Sequence, residues 1–237
     1  MRSITRRTIG VYLTALVAVS CGSASGAAGL PSTTQSVLPS GPVTYTAQVF
    51  MPGMKVTVPS ADRSTGWTLY EDHPGEFTLA APDRLRDGVI HFWLDPIASS
   101  VHDKPIPGVG HTPAALVDWL RHDPDLVVSP PRPAMIAGEI RGTRVDIRIS
   151  PKVHNYNTTG CDGGPCFDWL TFRGRNHPDA NGGGFDRLYL ATLRSGEKSH
   201  VLAIHVNAPD AKTLAGMIPI AAHIVANVVL PATVSAG

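Results

Sequence analysis

The side chains best suited to chemistry crowd into one stretch that lacks any periodic pattern, residues 151–184. It contains His154, Tyr156, Trp169, Phe172, Arg173, Arg175, His177 and Asp179. Guanidinium groups grip carboxylates and phosphates through paired N–H donors, and aromatic rings supply flat apolar walls. Together they suit a pocket for an anionic or aromatic ligand. Trp169, Arg173, Arg175 and His177 are the expected ligand contacts. In the alternative arrangement, Trp169 and Phe172 tuck the loop onto a sheet while the arginines stay in water. Structureless stretches beyond about 12–15 residues are uncommon in compact domains and are usually functional or disordered.

The same stretch carries Cys161-Asp162-Gly163-Gly164-Pro165-Cys166. In an exported chain these two thiols are expected to form a disulfide. Redox pairs prefer two intervening residues at a helix N-terminus, and structural zinc needs four ligands, so neither suits this motif. A ring so short contributes on the order of 2 kcal/mol at most, and its expected effect is to hold the loop's local shape.

Ten histidines raise the question of metal or acid–base chemistry. His200 and His205 are an odd number of steps apart in one alternating run, so they point to opposite faces of a strand. His91 sits in an apolar run and reads as a hydrogen-bonded core residue, and His73 lies in a turn beside Glu71 and Asp72. The chain has no Gly-x-Ser-x-Gly elbow and no His-Glu-x-x-His pair. An exported enzyme, metal-dependent through His154, His177 and Asp179, is therefore the second expectation. The first is a non-enzymatic domain with no cofactor and no metal.

Export is written in the first residues. Arg2, Arg6 and Arg7 precede an apolar run from Ile9 to Val19, with no acidic residue before Cys21. This is the layout of a signal peptide, too short for a membrane span of about 20 apolar residues. Ala18-Val19-Ser20-Cys21 resembles a bacterial lipobox, which implies a diacylated, palmitate-bearing Cys21 as the new N-terminus; cleavage among Ser23, Ala24, Ser25 and Ala27 is the alternative and implies secretion. Thr5-Arg6-Arg7-Thr8-Ile9 resembles a twin-arginine signal, and a Sec route remains open beside it. Acylation also removes an otherwise unpaired exported thiol.

The expected organisation is a signal peptide at 1–20, a lipidated flexible tether at 21–44, one globular domain at 45–231 and a tail at 232–237. No charge occurs between Arg7 and Lys55. About 20 flexible residues span roughly 25 Å, enough to hold a domain clear of lipid headgroups. The chain has 20 Lys+Arg and 19 Asp+Glu; without Arg2, Arg6 and Arg7 the balance is 17 to 19, a net charge of −2. Nucleic acid is thereby excluded as a partner, since binding it needs clustered cations. The expected partners are the membrane, through the anchor, and a small molecule or an envelope protein.

Hairpins must position these residues. Val56 and Val58 alternate with Lys55 and Thr57; Trp67 and Leu69 with Thr68 and Tyr70; Phe77 and Leu79 with Glu76 and Thr78. Glu71-Asp72-His73-Pro74-Gly75 supplies a turn. Val89–Leu94 is apolar on both faces except at His91, the mark of a strand covered on both sides. Two further hairpins are expected about Arg141-Gly142 and Arg194-Ser195-Gly196-Glu197. Thr112 and Pro113 begin a helix anchored by Trp119, and Asp210 begins a second whose stripe includes Leu214, Met217, Ala221 and Ile224, with Pro219 kinking or dividing it. The fold expected is α+β, a mainly antiparallel sheet of hairpins with one central and one C-terminal helix packed on it.

Gly66-Trp67, Glu71-Asp72, Pro74-Gly75, Phe77, Leu79 and Gly88 followed by a hydrophobic strand resemble a family of uncharacterised secreted proteins and lipoproteins of high-GC Gram-positive bacteria. The resemblance covers most of Met54 to Leu230 and implies no reaction and no catalytic residue. The order of elements also resembles the PsbP-like sandwich of some envelope lipoproteins, an analogy of fold alone.

Overall fold

Alternation of apolar and polar side chains becomes strand pairing from the first described residues onward. The computed structural model describes residues 41–59, 66–82, 85, 88–99, 105–153, 169–171 and 185–237. Strand β1 (Val43–Thr46) pairs antiparallel with β2 (Lys55–Val58), in which Val56 and Val58 are buried. Residues 43 and 44, read from sequence as the end of the tether, thus belong to a strand. The loop between β1 and β2 is held by one carboxylate: Asp72 accepts from the backbone N–H groups of Gln48 at 2.6 Å, Val49 at 3.2 Å and Phe50 at 2.8 Å.

Asp72 lies in β3 (Thr68–His73), which forms a hairpin with β4 (Glu76–Ala80) through Gly75, whose φ of 91° only glycine adopts freely. Then come β5 (Val89–Leu94) and the two-residue β6 (Ile97–Ala98). Helix α1 (Pro113–His122) is capped by the Thr112 hydroxyl, which accepts from the Ala115 N–H, and has Pro at its first turn as expected. It buries Leu116, Val117 and Leu120. Trp119 is only half-buried on its flank, so the expected anchor is supplied by three aliphatic side chains instead.

Strands β7 (Leu126–Val128), β8 (Arg132–Ile136) and β9 (Ile140–Ile149) follow. The β8–β9 turn is Ala137-Gly138-Glu139, not Arg141-Gly142: Ala137 and Gly138 take the positive φ values, 53° and 73°. Gly142 lies inside β9 for a different reason. A Cβ there would stand 2.5 Å from the Leu190 carbonyl oxygen, so only glycine permits this approach of the two strands.

The two-residue β10 (Leu170–Thr171) pairs with β6, and β11 (Phe185–Ser195) forms a long hairpin with β12 (Lys198–Ala208). Helix α2 (Ala211–Asn227) continues unbroken through Pro219 and stops at the extended cap Val228, ahead of Pro231. Residues 232–237, read as a tail, contribute β13 (Ser235–Ala236), which pairs with β11. Among the described residues no helix is long and apolar enough to cross a membrane.

The fold is α+β, dominated by an antiparallel sheet in the order β3-β4-β5-β12-β11-β9-β7, with β8 beside β9. One face presents Phe77, Leu79, Ile90, Phe92, Ile204 and Val206 to α2 and the β1–β2 hairpin. The other presents Trp93, Val145, Ile147, Leu188, Leu190 and Ala203 to α1 and β10. Strands β5, β12 and β11 are covered on both sides, which accounts for their near-continuous apolar runs. The outward charges of β9 stay at the edge, where Arg187 binds Asp146 in a fork at 2.6 and 3.0 Å; burial opposes its charge, but the Asp146 hydrogen bond dominates and holds the guanidinium above its ordinary range.

Asp210 caps α2 through Thr213, accepting from its N–H at 2.8 Å and its hydroxyl at 3.1 Å. That backbone hydrogen bond, first, lowers the carboxyl below its ordinary 3.8. A lowered native value contributes stability above the unfolded value and loses it as pH falls through the native one. Asp210→Ala is therefore expected to be less stable than wild type at neutral pH, with the gap closing in acid below pH 3.8. Urea midpoints across a pH series measure it; a gap that stays constant with pH counts against the cap.

Candidate functional site

Of the expected ligand contacts Trp169, Arg173, Arg175 and His177, Trp169 is the one that falls within the described residues. The others lie outside them, as do His154, Tyr156, Phe172, Asp179, Cys161, Cys166 and Cys21. Trp169 is 1% exposed, and its ring meets the His205 ring edge-on with centroids 5.1 Å apart. Its carbonyl accepts from the Ser99 N–H at 3.1 Å, placing it against β6.

Beneath Trp169 lies a group of buried polar side chains from four adjacent strands. Strand pairing sets them side by side: Thr78 opposite His91, His91 opposite His205, Glu76 opposite Trp93 and Asp186 opposite Asn207. All belong to the face that α1 covers, because residues two apart on a strand share a face. Glu76, which alternates with the core residues Phe77 and Leu79, is itself 0% exposed.

Two carboxylates organise the group. One oxygen of Glu76 accepts from His91 Nδ1 at 2.8 Å, the Thr78 hydroxyl at 3.0 Å and Trp93 Nε1 at 3.1 Å. One oxygen of Asp186 accepts from His205 Nε2 and Asn207 Nδ2, both at 2.7 Å. The imidazoles of His91 and His205 stack 16° from parallel at 5.6 Å, and Trp93 stacks on both, at 5.2 and 5.0 Å. Buried charge is tolerated only with such pairing, since an uncompensated ion in the interior costs several kcal/mol.

Donation to Asp186 puts the proton of the neutral His205 ring on Nε2 and leaves Nδ1 as a lone pair. Buried Nδ1 has no hydrogen-bond partner among the described residues. An imidazole backed by a carboxylate is the arrangement that general-base catalysis uses. Here, though, His205 is 0% exposed. Among the described residues no three His, Cys, Asp or Glu side chains gather as metal ligands.

The accessible hollow lies elsewhere on the same face. Helix α1 turns its stripe Pro113, Ala114, Val117, Asp118 and Arg121 toward β9 and β11, bordering an open hollow of about 630 Å³. Leu190, Ala191 and the side-chain-free Gly142 line it, with Arg141 beside them. A second hollow of about 730 Å³ shares Pro131, Arg141, Gly142 and Thr143 with the first and continues along Arg132–Met135. Both are of a size that holds small ligands.

Sequence reading placed binding in the loop and passed over both the network and this trough. One signal for the network was present: polar or hydrogen-bonding pairs two residues apart in strands, Glu76 with Thr78, His91 with Trp93 and His205 with Asn207. The sequence matches no family model, and no curated protein matches it.

Removing one partner of a buried hydrogen-bonded pair costs about 1–3 kcal/mol, because the other is left unsatisfied. Asp186→Ala is expected to lose that much in urea unfolding. Combined with His205→Phe it should lose less than the two single losses together, by about 1 kcal/mol or more. Simple additivity would mean that the two side chains do not depend on one another.

Proposed function

We propose that this chain is an exported bacterial lipoprotein, held on the outer side of the cytoplasmic membrane by diacylated Cys21, whose domain binds a ligand or partner without catalysing a reaction. The observation that carries the binding reading is the trough between α1 and the β9–β11 region, an accessible hollow walled by apolar side chains with arginines at its rim. The basic, acid-free leader and the lipobox-like Ala18-Val19-Ser20-Cys21 support the anchor. On this reading the motif from Gly66 to Gly88 belongs with the secreted proteins and lipoproteins it resembles, and the layered sheet with the PsbP-like sandwich.

Wild-type protein is expected in the detergent phase of a Triton X-114 partition, with mass spectrometry finding diacylglycerol on Cys21 and Cys21→Ala moving to the aqueous phase. A photo-crosslinking residue at Ala114, in the trough, should capture a bound species in living cells, and one at exposed Tyr70 should not. An unmodified mature chain beginning beyond Cys21 would remove the anchor, and equal labelling at both positions would remove the trough.

A second reading, an exported enzyme, is favoured by the unpartnered Nδ1 of His205 with Asp186 behind it. Catalysis would require Trp169 to swing away and admit substrate. Diethyl pyrocarbonate, which modifies accessible imidazoles, should react at exposed His122 and His223 and spare His205 if the reading without catalysis holds. Modification of His205 at the rate of those two would favour the enzyme.

A further inference from the structure

We infer that the trough takes a single-chain anionic amphiphile, one hydrocarbon tail ending in a carboxylate or phosphate, gathered as a monomer rather than from a bilayer surface. This rests on the reading of the trough as the ligand site and deepens it by naming the ligand's chemistry.

Three features of the trough point to this class. The first is its apolar lining, in which Val117 and Leu190 give way to Pro133, Ala134 and Met135 along the adjoining hollow. Met135 is 48% exposed, a large apolar side chain left in water beside that surface. Methionine is flexible and polarisable, suited to packing against a tail of variable shape.

The second is charge. Arg121, Arg132 and Arg141 line the two hollows, and none of them has an ion-pair partner among the described residues. The acidic residue in the lining, Asp118, faces its own histidine, His122, at 3.5 Å. Guanidinium forks bind carboxylate and phosphate oxygens in pairs, which a neutral headgroup cannot match.

The third is shape. Hollows of about 630 and 730 Å³ that share Pro131, Arg141, Gly142 and Thr143 adjoin one another, with an arginine in the lining common to both. An extended tail with a compact anionic head fits this better than a globular polar ligand.

The experiment is isothermal titration calorimetry on the full chain carrying Cys21→Ala, so that no attached acyl group competes. The probes are dodecyl phosphate, palmitate, dodecanol, inorganic phosphate and phosphatidylglycerol vesicles, the amphiphiles below their micelle concentrations. Dodecyl phosphate and palmitate are expected to bind saturably, dodecanol about tenfold or more weakly than dodecyl phosphate, and phosphate and vesicles not measurably. Arg121→Glu with Arg141→Glu should weaken the anionic probes by about tenfold or more, whereas Arg194→Glu, outside the trough, should leave them unchanged. If the double variant misfolds, Arg121→Gln and Ala114→Trp serve in its place, each reducing binding. Equal binding of dodecanol and dodecyl phosphate, both blocked by Ala114→Trp, would overturn the anionic preference while leaving the trough as a ligand site. Binding that ignores every trough substitution would overturn both, and binding to vesicles alone would replace the monomer with a membrane surface.

Discussion

Burial of the sheet's centre on both faces is the constraint on which the rest of this structure depends. Strands β5, β12 and β11 lie between α2 with the β1–β2 hairpin on one side and α1 with β10 on the other. Both faces are covered, so a polar group buried there is costly unless it finds a partner within the protein. On the α2 face the demand is largely avoided by apolar side chains: Phe92, Ile204 and Val206 pack in one cluster with Leu214, Met217 and Ile224. On the α1 face it is met by Glu76 and Asp186, each drawing several donors onto one oxygen.

That network has structural consequences whatever its other uses. Each carboxylate binds side chains of neighbouring strands, Glu76 of β4 to His91 and Trp93 of β5, and Asp186 of β11 to His205 and Asn207 of β12. Aromatic stacking of His91, Trp93 and His205 then joins the two halves across the β5–β12 boundary. A slip of one residue in any pairing would turn a carboxylate to the opposite, apolar face. Buried polar groups that satisfy one another are thus a device for register in this sheet, and Trp169 closes the network from above.

The same face divides into a closed region and an open one. Around His205 the side chains leave no access, while toward the β9 edge α1 stands off the sheet far enough to leave the trough. Gly142, in the lining of the trough, permits the close approach of β9 to β11 there.

Several features were legible in residue order because they depend on near neighbours. Period-two alternation located β2, β3 and β4; the turn at Arg194-Ser195-Gly196-Glu197 located the β11–β12 hairpin; Thr112-Pro113 and Asp210 marked the two helix starts; and the apolar run of β5 revealed a strand covered on both faces. The β8–β9 turn was misplaced because Gly142 resembles a turn glycine in sequence, whereas it is required by a carbonyl 48 positions away in Leu190. The burial of Glu76 is not legible in its alternation with Phe77 and Leu79, because local alternation is silent on what covers a strand. Sequence alone determined several of the strands and the two helix starts, all matters of local sterics, hydrogen bonding and composition. Only the tertiary structure decided that Glu76 meets His91, that Asp186 meets His205, and that three arginines flank one trough, because these meetings follow from strand order and layer packing, which no local spacing encodes.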